Sequence, residues 1–276
     1  MDARAELFDL SGRVAIITGG AGLLGGKHAE AIASASGIPV LIDLSLPEAE
    51  RTARDVADRF GVPARAIRAD ITNEAEVQVA LADVLARHGR VDILLNNAAN
   101  NPKVEGQSGA AWSRVENLLI EEWEADLAVG LTGAFLCSRV FGSEMARRGC
   151  GVIVNVASDL AVIAPDQRIY RNPGLPEEQQ PVKPASYSVV KTGLIGLTRY
   201  LATYWATAGV RVNAISPGGI YNKQPDEFVR RLTHLIPLGR MAHADEYQGA
   251  ILFLCSDASA YMTGQNLIVD GGRSAW

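Results

Sequence analysis

Short apolar runs alternate with longer amphipathic segments along this chain of 276 residues. Runs rich in valine and isoleucine, such as Val14–Thr18, are typical of parallel strands that are buried on both faces. Their alternation with helical segments predicts a parallel sheet of about seven strands in a three-layer α/β/α fold. The predicted strands are 14–18, 40–44, 64–69, 91–96, 151–157, 210–215 and 266–269. The predicted helices are 28–35, 48–60, 74–88, 121–148, 185–208 and 245–255.

The first predicted strand runs directly into a glycine-rich turn, Thr-Gly-Gly-Ala-Gly-Leu-Leu-Gly-Gly over 18–26, and a helix of small residues follows. Glycine lets the backbone approach a diphosphate, and the free amides and dipole at a helix N-terminus favour an anion. Strand, glycine turn and helix in this order predict a dinucleotide site in a Rossmann-type, doubly wound sheet. The alternative is an ordinary tight connection between a strand and a helix.

Asp43 ends the second predicted strand, where the adenosine ribose of a dinucleotide would lie. A carboxylate at this position accepts hydrogen bonds from the 2′ and 3′ hydroxyls and repels a 2′-phosphate, so we predict NAD in preference to NADP. The alternative is that Asp43 caps the helix that begins near Pro47.

Tyr187 and Lys191, in the run Tyr-Ser-Val-Val-Lys, are four residues apart on a predicted helix and therefore share a face. A tyrosine hydroxyl titrates near ~10, and a neighbouring positive charge favours its ionised form. The pair therefore indicates a general acid/base. The alternative is a half-buried tyrosine beside a solvated lysine.

Composition and charge restrict the class of protein. The chain is 48% hydrophobic, and without a linker or repeat it predicts a single domain over 1–276. A net charge of −5 without a basic cluster argues against nucleic acid or a membrane as partner and favours a small-molecule ligand. The three cysteines and four histidines lack disulfide or metal spacing, so no metal is predicted. The start lacks the apolar core of a signal peptide and no long apolar stretch follows, which predicts a cytoplasmic location.

The predicted strands end in residues that should meet along the carboxyl edge of the sheet. These residues are Thr18, Asp43, Asn96, Ser158 and Pro217. Two loops, 159–184 and 218–243, are predicted to cover this edge and contact the substrate. The first loop supplies donors suited to hydroxyls or phosphate, namely Gln167, Arg168, Tyr170, Arg171, Asn172 and Lys183, although a solvated insertion or a subunit contact is the alternative.

Together these motifs resemble a short-chain dehydrogenase/reductase over essentially the whole chain. The resemblance is carried by the turn at 18–25, Asp70, Asn96-Asn97-Ala98, Ser158, Tyr187 with Lys191, Pro217-Gly218 and Val269-Asp270-Gly271-Gly272. It implies that Tyr187 exchanges a proton with the substrate oxygen and that Ser158 orients the carbonyl. It also implies that Lys191 lowers the pKa of Tyr187 and binds the nicotinamide ribose.

The resemblance implies a full set of contacts. The implied dinucleotide contacts are Thr18, Gly19, Gly22, Leu23, Leu24, Asp43, Leu44, Asp70, Ile71, Asn97, Ala98, Ala99, Tyr187, Lys191, Pro217, Gly218 and Ile220. With the loop donors included, the substrate contacts are Ser158, Arg168, Tyr170, Arg171 and Tyr187.

Two positions depart from the family's usual residues. Leu23 stands where the glycine turn usually has a glycine, and Gly130 stands where a catalytic asparagine is usual. In the family that asparagine acts largely through its main-chain carbonyl, which holds a water near the lysine. Glycine keeps the carbonyl, so Gly130 is predicted to serve with the catalytic residues Ser158, Tyr187 and Lys191.

A narrower resemblance is to bacterial flagellin modification protein A and similar oxidoreductases of nonulosonic (legionaminic-type) sugar pathways. Phrases that carry it include Ile-Ala-Pro-Asp-Gln-Arg-Ile-Tyr at 163–170 and Asp-Gly-Gly-Arg-Ser-Ala-Trp at 270–276. It implies a sugar or sugar phosphate as substrate, with a secondary alcohol and a ketone interconverted by NAD. The alternatives are an NAD(H)-binding sensor without turnover and a 3-oxoacyl-thioester reductase.

The family resemblance also implies a homo-oligomer, either a tetramer or a dimer, built on two long helices and the C-terminal strand. The candidate interface or core residues are Phe135, Val140, Leu194, Leu197, Leu201 and Trp205.

Overall fold

Seven parallel strands form one sheet at the centre of the computed structural model, which describes residues 6–105 and 110–276. The strands are β1 Val14–Thr18, β2 Ile38–Asp43, β3 Arg65–Arg68, β4 Ile93–Asn96, β5 Gly151–Val156, β6 Val210–Pro217 and β7 Asn266–Val269. Their spatial order is β3-β2-β1-β4-β5-β6-β7. The chain winds outward from β1 to one edge and then crosses back to β4, so the predicted doubly wound fold is confirmed.

Helices cover both faces of the sheet. They are α1 Leu23–Ser34, α2 Leu46–Phe60, α3 Glu74–His88, α4 Ile120–Leu127, α5 Gly133–Arg148, α6 Ala185–Tyr204, α7 Asp226–Thr233 and α8 Gln248–Cys255. Side chains alternate along each strand, so Ile17 packs in the layer formed by α1, α2 and α8. Its neighbour Ile16 packs in the layer formed by α3, α5 and α6. Because both faces are covered, β1 is buried along its whole length and is almost entirely apolar, as the sequence indicated, whereas the edge strand β3 carries Arg65 and Arg68.

The helical stretch Ile120–Arg148 differs from the single regular helix that the sequence predicts. A π-helical turn at Ala128–Thr132 separates α4 from α5, and Gly130 lies buried in its middle. Single π turns inside α-helices occur frequently at functional sites. The stretch is long and apolar enough to cross a membrane by length and composition, and 44% of its most apolar window is buried. Phe141 and Met145 of α5 are fully buried against the sheet, so core packing accounts for the apolar face.

Helix α7 lies inside 218–243, which was predicted as a loop. Asp226 and Glu227 occupy its first turn, while Arg230 and Arg231 occupy its last turn. This charge order complements the helix dipole and is the sequence signal that indicates a helix here.

The candidate interface residues divide by burial. Val140, Leu194, Leu201 and Trp205 are all at least nine-tenths buried within one chain and belong to the core. Phe135 is 41% exposed on α5 and remains available to a partner.

Candidate active site

A cavity of about 580 Å³ opens at the carboxyl ends of the strands. All of the predicted dinucleotide contacts except Thr18 line this cavity. They come from the ends of β1, β2, β4 and β6, from the start of α1, from the segment after β3 and from α6. Ser158, which was predicted to be catalytic, joins them from the end of β5. Parallel strands bring their carboxyl ends to one edge, which explains why residues so distant in sequence converge.

Thr18 lies beneath the cavity and joins the ends of β1 and β4. Its hydroxyl accepts hydrogen bonds from the amides of Asn97 at 3.0 Å and Ala98 at 3.1 Å. The Asn97 side-chain amide donates to the carbonyls of Thr18 and Gly19 at 2.9 and 3.1 Å. Thr18 therefore positions the glycine turn rather than contacting a ligand.

The glycine turn has the shape of a cradle that leaves no space for side chains on its inner side. Gly19 has a positive φ of 63°, and a Cβ on Gly25 would lie 2.2 Å from the Gly19 carbonyl oxygen. Gly22 is the N-cap of α1 and supplies no side-chain cap, so the first amides of the helix have no side-chain partner. These residues fit the diphosphate of a dinucleotide, since backbone amides at a helix N-terminus bind phosphate oxygens.

Leu23 takes the place of the family's usual glycine at the first residue of α1. Its side chain is 48% exposed and lies at the rim of the cavity. The turn accommodates leucine because the side chain extends into solvent instead of into the cradle.

Asp43 lies at the end of β2 and lines the cavity. One carboxylate oxygen accepts the Ala21 amide at 3.0 Å, and the other accepts the Ser45 amide at 3.0 Å. The N-cap of α2 is Ser45, so Asp43 does not cap that helix as the alternative proposed. Instead it supports the glycine turn and presents negative charge to the cavity.

The predicted catalytic residues lie together in the cavity, away from Asp43 at the end of β2. They are Ser158, which follows β5, and Tyr187 and Lys191 on α6. The Tyr187 hydroxyl shares a hydrogen bond with Ser158, and the Lys191 ammonium is 5.8 Å from the centre of the Tyr187 ring. Lys191 Nζ donates to the Val156 carbonyl at the end of β5, at 2.8 Å. Helix α6 and the end of β5 thus place the hydroxyls of Ser158 and Tyr187 and the ammonium of Lys191 close enough together to contact one ligand.

The net electrostatic effect on Tyr187 runs opposite to the prediction. Burial raises the pKa of Tyr187, Ser158 lowers it through the hydrogen bond, and the Asp159 carboxylate raises it. Burial also lowers the pKa of Lys191 to about 8, with a further contribution from Lys183. In a dry site the loss of water around the phenolate raises its pKa, and a spacing argument along one helix does not include this effect.

Comparison with known families decides the class of protein. Residues 13–170 match the family model described as short chain dehydrogenase, and residues 177–274 match the model described as Enoyl-(Acyl carrier protein) reductase. The chain is a short-chain dehydrogenase.

Similar proteins act on sugar alcohols and related compounds. The D-threitol dehydrogenase of Mycolicibacterium smegmatis is 34% identical over 96% of this chain and 94% of its own length. The NADP-dependent mannitol dehydrogenase of Alternaria alternata is 32% identical over 97% of this chain and 94% of its own. The crystal structure of a gluconate 5-dehydrogenase from Burkholderia cenocepacia J2315 with NADP and tartrate superposes with a TM-score of 0.85, at 28% identity over 99% of both chains. None of these three is a flagellin modification protein, so that narrower resemblance stays a prediction.

Gly130 differs from the asparagine that short-chain dehydrogenases usually carry, and packing explains the difference. A Cβ at this position would lie 2.5 Å from Cγ1 of Val190 on α6. The neighbouring Val129 lines the cavity, whereas Gly130 lies behind it. The short-chain dehydrogenase therefore packs its π turn tightly against the helix that carries Tyr187.

The first substrate loop contributes only some of the residues expected. Ile169 and Tyr170 face the cavity and are buried, but Arg168 and Arg171 do not line it. The Arg168 side chain is 82% exposed and pairs with Asp166 at 2.6 Å, and Arg171 pairs with Glu177. The 3-10 turn at Gln167–Tyr170 buries the adjacent Ile169 and Tyr170 and leaves Arg168 exposed, so charge in a loop does not by itself indicate a cavity contact.

Lys183 is the cation that this loop does bring to the site. Its ammonium is 4.0 Å from the Tyr187 ring centre and donates to Asn101 Oδ1 at 2.6 Å. Burial lowers the pKa of Lys183 to about 8, although Glu105, Asp126 and Asp159 raise it. Two ammonium groups therefore flank the tyrosine ring.

Sequence reasoning missed several residues that line the substrate side of the cavity. These are Glu105, Asp159, Phe228, Leu232, Met241 and Arg273. Phe228 and Leu232 belong to the unpredicted helix α7, and Arg273 arrives from the C-terminal tail. Within 6–105 and 110–276, no group of three or more histidine, cysteine or acidic side chains is arranged to hold a metal ion.

Proposed function

We propose that this short-chain dehydrogenase is an NAD-dependent enzyme that interconverts a secondary alcohol and a ketone on a sugar alcohol or a related sugar. The observation that carries the proposal is the meeting of Ser158, Tyr187 and Lys191 in one cavity with the glycine turn and Asp43. A nucleotide-binding sensor would not require the buried, hydrogen-bonded hydroxyls of Ser158 and Tyr187 beside Lys191. The site therefore favours turnover over binding alone.

Tyr187 would transfer the proton in this reaction. In the oxidative direction its phenolate removes the hydroxyl proton of the alcohol, and in the reductive direction its hydroxyl protonates the ketone oxygen. Ser158 would donate a hydrogen bond to the same substrate oxygen as negative charge develops there. Lys191, held by the Val156 carbonyl, would keep a positive charge near the phenolate. When bound, the dinucleotide supplies the hydride acceptor or donor.

The substrate side of the cavity supports a small polyol. The polar groups that line the cavity include Lys183, Asn222 and Gln224, and each can form a hydrogen bond with a hydroxyl. The relatives named for D-threitol and mannitol support the same class. Phe228, Leu232 and Met241 also line this side, so the preference for a polyol over a 3-oxoacyl thioester rests on the polar donors and on these relatives. The narrower assignment to nonulosonic sugars remains compatible with these donors.

NAD preference rests on Asp43. Two backbone amides hold its carboxylate in place, so it cannot easily turn away from a 2′-phosphate. Two of the relatives described above use or bind NADP, so the cofactor requires a direct test. We expect Asp43→Asn to raise kcat/KM for NADP relative to NAD, because it removes the repelling charge and keeps the shape.

A substrate panel tests the proposal. The purified protein is assayed with NAD and NADP against D-threitol, mannitol and gluconate, and with NADH and NADPH against an acetoacetyl thioester, with Tyr187→Phe as the control. We expect oxidation of at least one polyol with NAD, and a loss of kcat in Tyr187→Phe on the order of 10²–10⁴. Faster thioester reduction with NADPH would assign the chain to the acyl reductases. NADH binding without turnover of any compound would favour the sensor.

The proposal extends to assembly and location. We propose that the chain forms a homo-oligomer, tetramer or dimer, because α5 and α6 leave apolar and aromatic side chains at the surface. The cytoplasmic location is proposed from the sequence. The exposed residues are Phe135, Val189, Tyr200 and Tyr204. Light scattering coupled to gel filtration measures the state directly, and a monomer at micromolar concentration would contradict it.

A further inference from the structure

A buried ion pair links the C-terminal tail to the catalytic serine. Arg273 Nη1 donates to Asp159 Oδ2 at 2.7 Å, and their side chains are only 7% and 5% exposed. Both residues line the cavity beside Ser158 and Tyr187. A buried carboxylate without a partner is costly, so Arg273 stabilises the charge on Asp159.

The second oxygen of the same carboxylate holds the Ser158 hydroxyl. Ser158 Oγ donates to Asp159 Oδ1 at 2.9 Å and accepts the Leu160 amide at 3.2 Å. A serine hydroxyl has one proton and two acceptor positions. While that proton points to Asp159, it is not donated to the Tyr187 oxygen or to a substrate oxygen. Asp159 therefore competes with Tyr187 for the single Ser158 proton.

The tail is shaped to deliver Arg273 to this place. Gly271 and Gly272 have positive φ of 68° and 88°, and Asp270 accepts the Gly272 and Ser274 amides at 2.9 and 2.7 Å. A Cβ on Gly272 would lie 2.9 Å from Cγ of Pro237. The turn after β7 thus requires glycine and reverses the chain toward the end of β5.

We propose that the Asp159–Arg273 ion pair is a positioning pair for the reaction proposed above, setting which partner receives the Ser158 proton and how strongly the site opposes a phenolate at Tyr187. The inference rests on the proposed function, since it concerns the proton transfer by Tyr187. Asp159 holds the serine proton and its charge disfavours the phenolate. Arg273 neutralises that charge and weakens both effects.

Other groups face Tyr187 and remain in place when the pair is changed. Lys183 precedes α6, Lys191 lies on α6, and Tyr170 lies on the 3-10 turn of the first loop. The charged groups that act on these in turn are Glu105 and Asp126, together with Asp159 and Arg273 of the pair itself. The two lysines favour the phenolate, whereas Asp159 opposes it.

Two variants that break the same pair should therefore have opposite effects on the pH profile. In the oxidative direction, kcat/KM rises with pH as Tyr187 loses its proton. This rise is the acidic limb of the profile. Asp159→Asn removes the negative charge and releases the serine proton to Tyr187, so the acidic limb moves to lower pH. Arg273→Gln leaves the carboxylate uncompensated, so the limb moves to higher pH. We expect the plateau of kcat to fall on the order of tenfold to a hundredfold in Arg273→Gln, which leaves a buried charge unpaired and loses a charge-assisted hydrogen bond.

The matched control is a second ion pair at the opposite edge of the sheet. Asp92 is 7% exposed and pairs with Arg90 at 2.6 Å, at the amino end of β4. Asp92→Asn should lower the unfolding temperature and leave the acidic limb at its wild-type position. Arg273→Lys retains the cation and should keep the limb close to the wild-type position. If Arg273→Gln does not fold, the comparison of Asp159→Asn with Arg273→Lys still decides the question.

Shifts of both variants in the same direction, or no shift in Asp159→Asn, would overturn the positioning role and leave the pair as a structural contact. This result is separate from the proposed function, which fails if Tyr187→Phe retains activity. A dead Tyr187→Phe variant with an unshifted Asp159→Asn variant rejects only the inference about the pair.

Discussion

Substituting Gly25 by alanine should damage the dinucleotide site through backbone displacement alone. The new Cβ would lie 2.2 Å from the Gly19 carbonyl oxygen and 2.8 Å from the Gly20 Cα. Real Cβ atoms essentially never approach closer than 3.0 Å, so the two backbone segments must separate by about 0.8 Å. Both neighbours are backbone, and neither can turn aside as a side chain would.

The magnitude follows from this displacement. Overpacking of a rigid contact costs about 1–3 kcal/mol of unfolding free energy, which lowers the unfolding temperature by ~2–6 °C in a chain of this size. Moving the turn also weakens at least one charge-assisted hydrogen bond to a diphosphate, worth about 1.5–3 kcal/mol. The dissociation constant for NADH should therefore rise about tenfold to a hundredfold.

The adjacent glycine provides the control. A Cβ on Gly26 would lie 3.3 Å from Cγ2 of Thr52, a side chain that can adjust, and alanine is favoured over glycine inside a helix by about 1 kcal/mol. Gly26→Ala should keep the wild-type affinity for NADH and equal or exceed the wild-type stability. NADH titration by fluorescence and thermal unfolding measure both variants. Wild-type NADH affinity in Gly25→Ala would refute the assignment of this turn to the diphosphate.

Two further predictions concern the helix that carries Tyr187. The pKa of Lys191 is about 8 in the folded chain and 10.5 when solvated, so between these values the unfolded state binds more protons and wild-type stability rises with pH. Relative to Lys191→Met, the wild type should gain about 2–3 kcal/mol from pH 7 to pH 10.5 in urea unfolding, and a pH-independent difference would contradict the burial of a charged lysine. Gly130→Asn should lower the unfolding temperature because of the contact with Val190, and adding Val190→Ala should restore most of it. Calorimetry of the single and double variants checks this, and equal temperatures for Gly130→Asn and the double variant would show that Val190 is not the obstacle.

The strand and helix pattern was readable from sequence because both faces of the sheet are covered. Continuous apolar runs such as Val14–Thr18 and Asn266–Val269 appear as strands at the predicted residues, and Glu74–His88 appears as a helix with the predicted bounds. Helix α7 was missed because its signal is charge at its two ends, within a short segment flanked by proline and glycine.

The dinucleotide side of the site also followed from sequence. Its residues belong to the glycine turn and to the ends of strands, and parallel topology alone brings strand ends to one edge. The substrate side followed only in part, since loops and the chain terminus have no such rule. Tyr170 and Lys183 line the cavity as expected, whereas Arg168 and Arg171 point elsewhere, and Arg273 lines the cavity without having been expected there.

Local sequence thus determined the fold, the dinucleotide edge and the pairing of Tyr187 with Lys191, because each depends on periodicity or on a spacing of a few residues. Tertiary structure alone decided the balance of charge around that tyrosine. Burial, the ammonium of Lys183 and the Asp159–Arg273 pair act across as many as 114 residues of sequence. Desolvation and long-range ion pairs depend on which surfaces are brought together, and no local pattern encodes them.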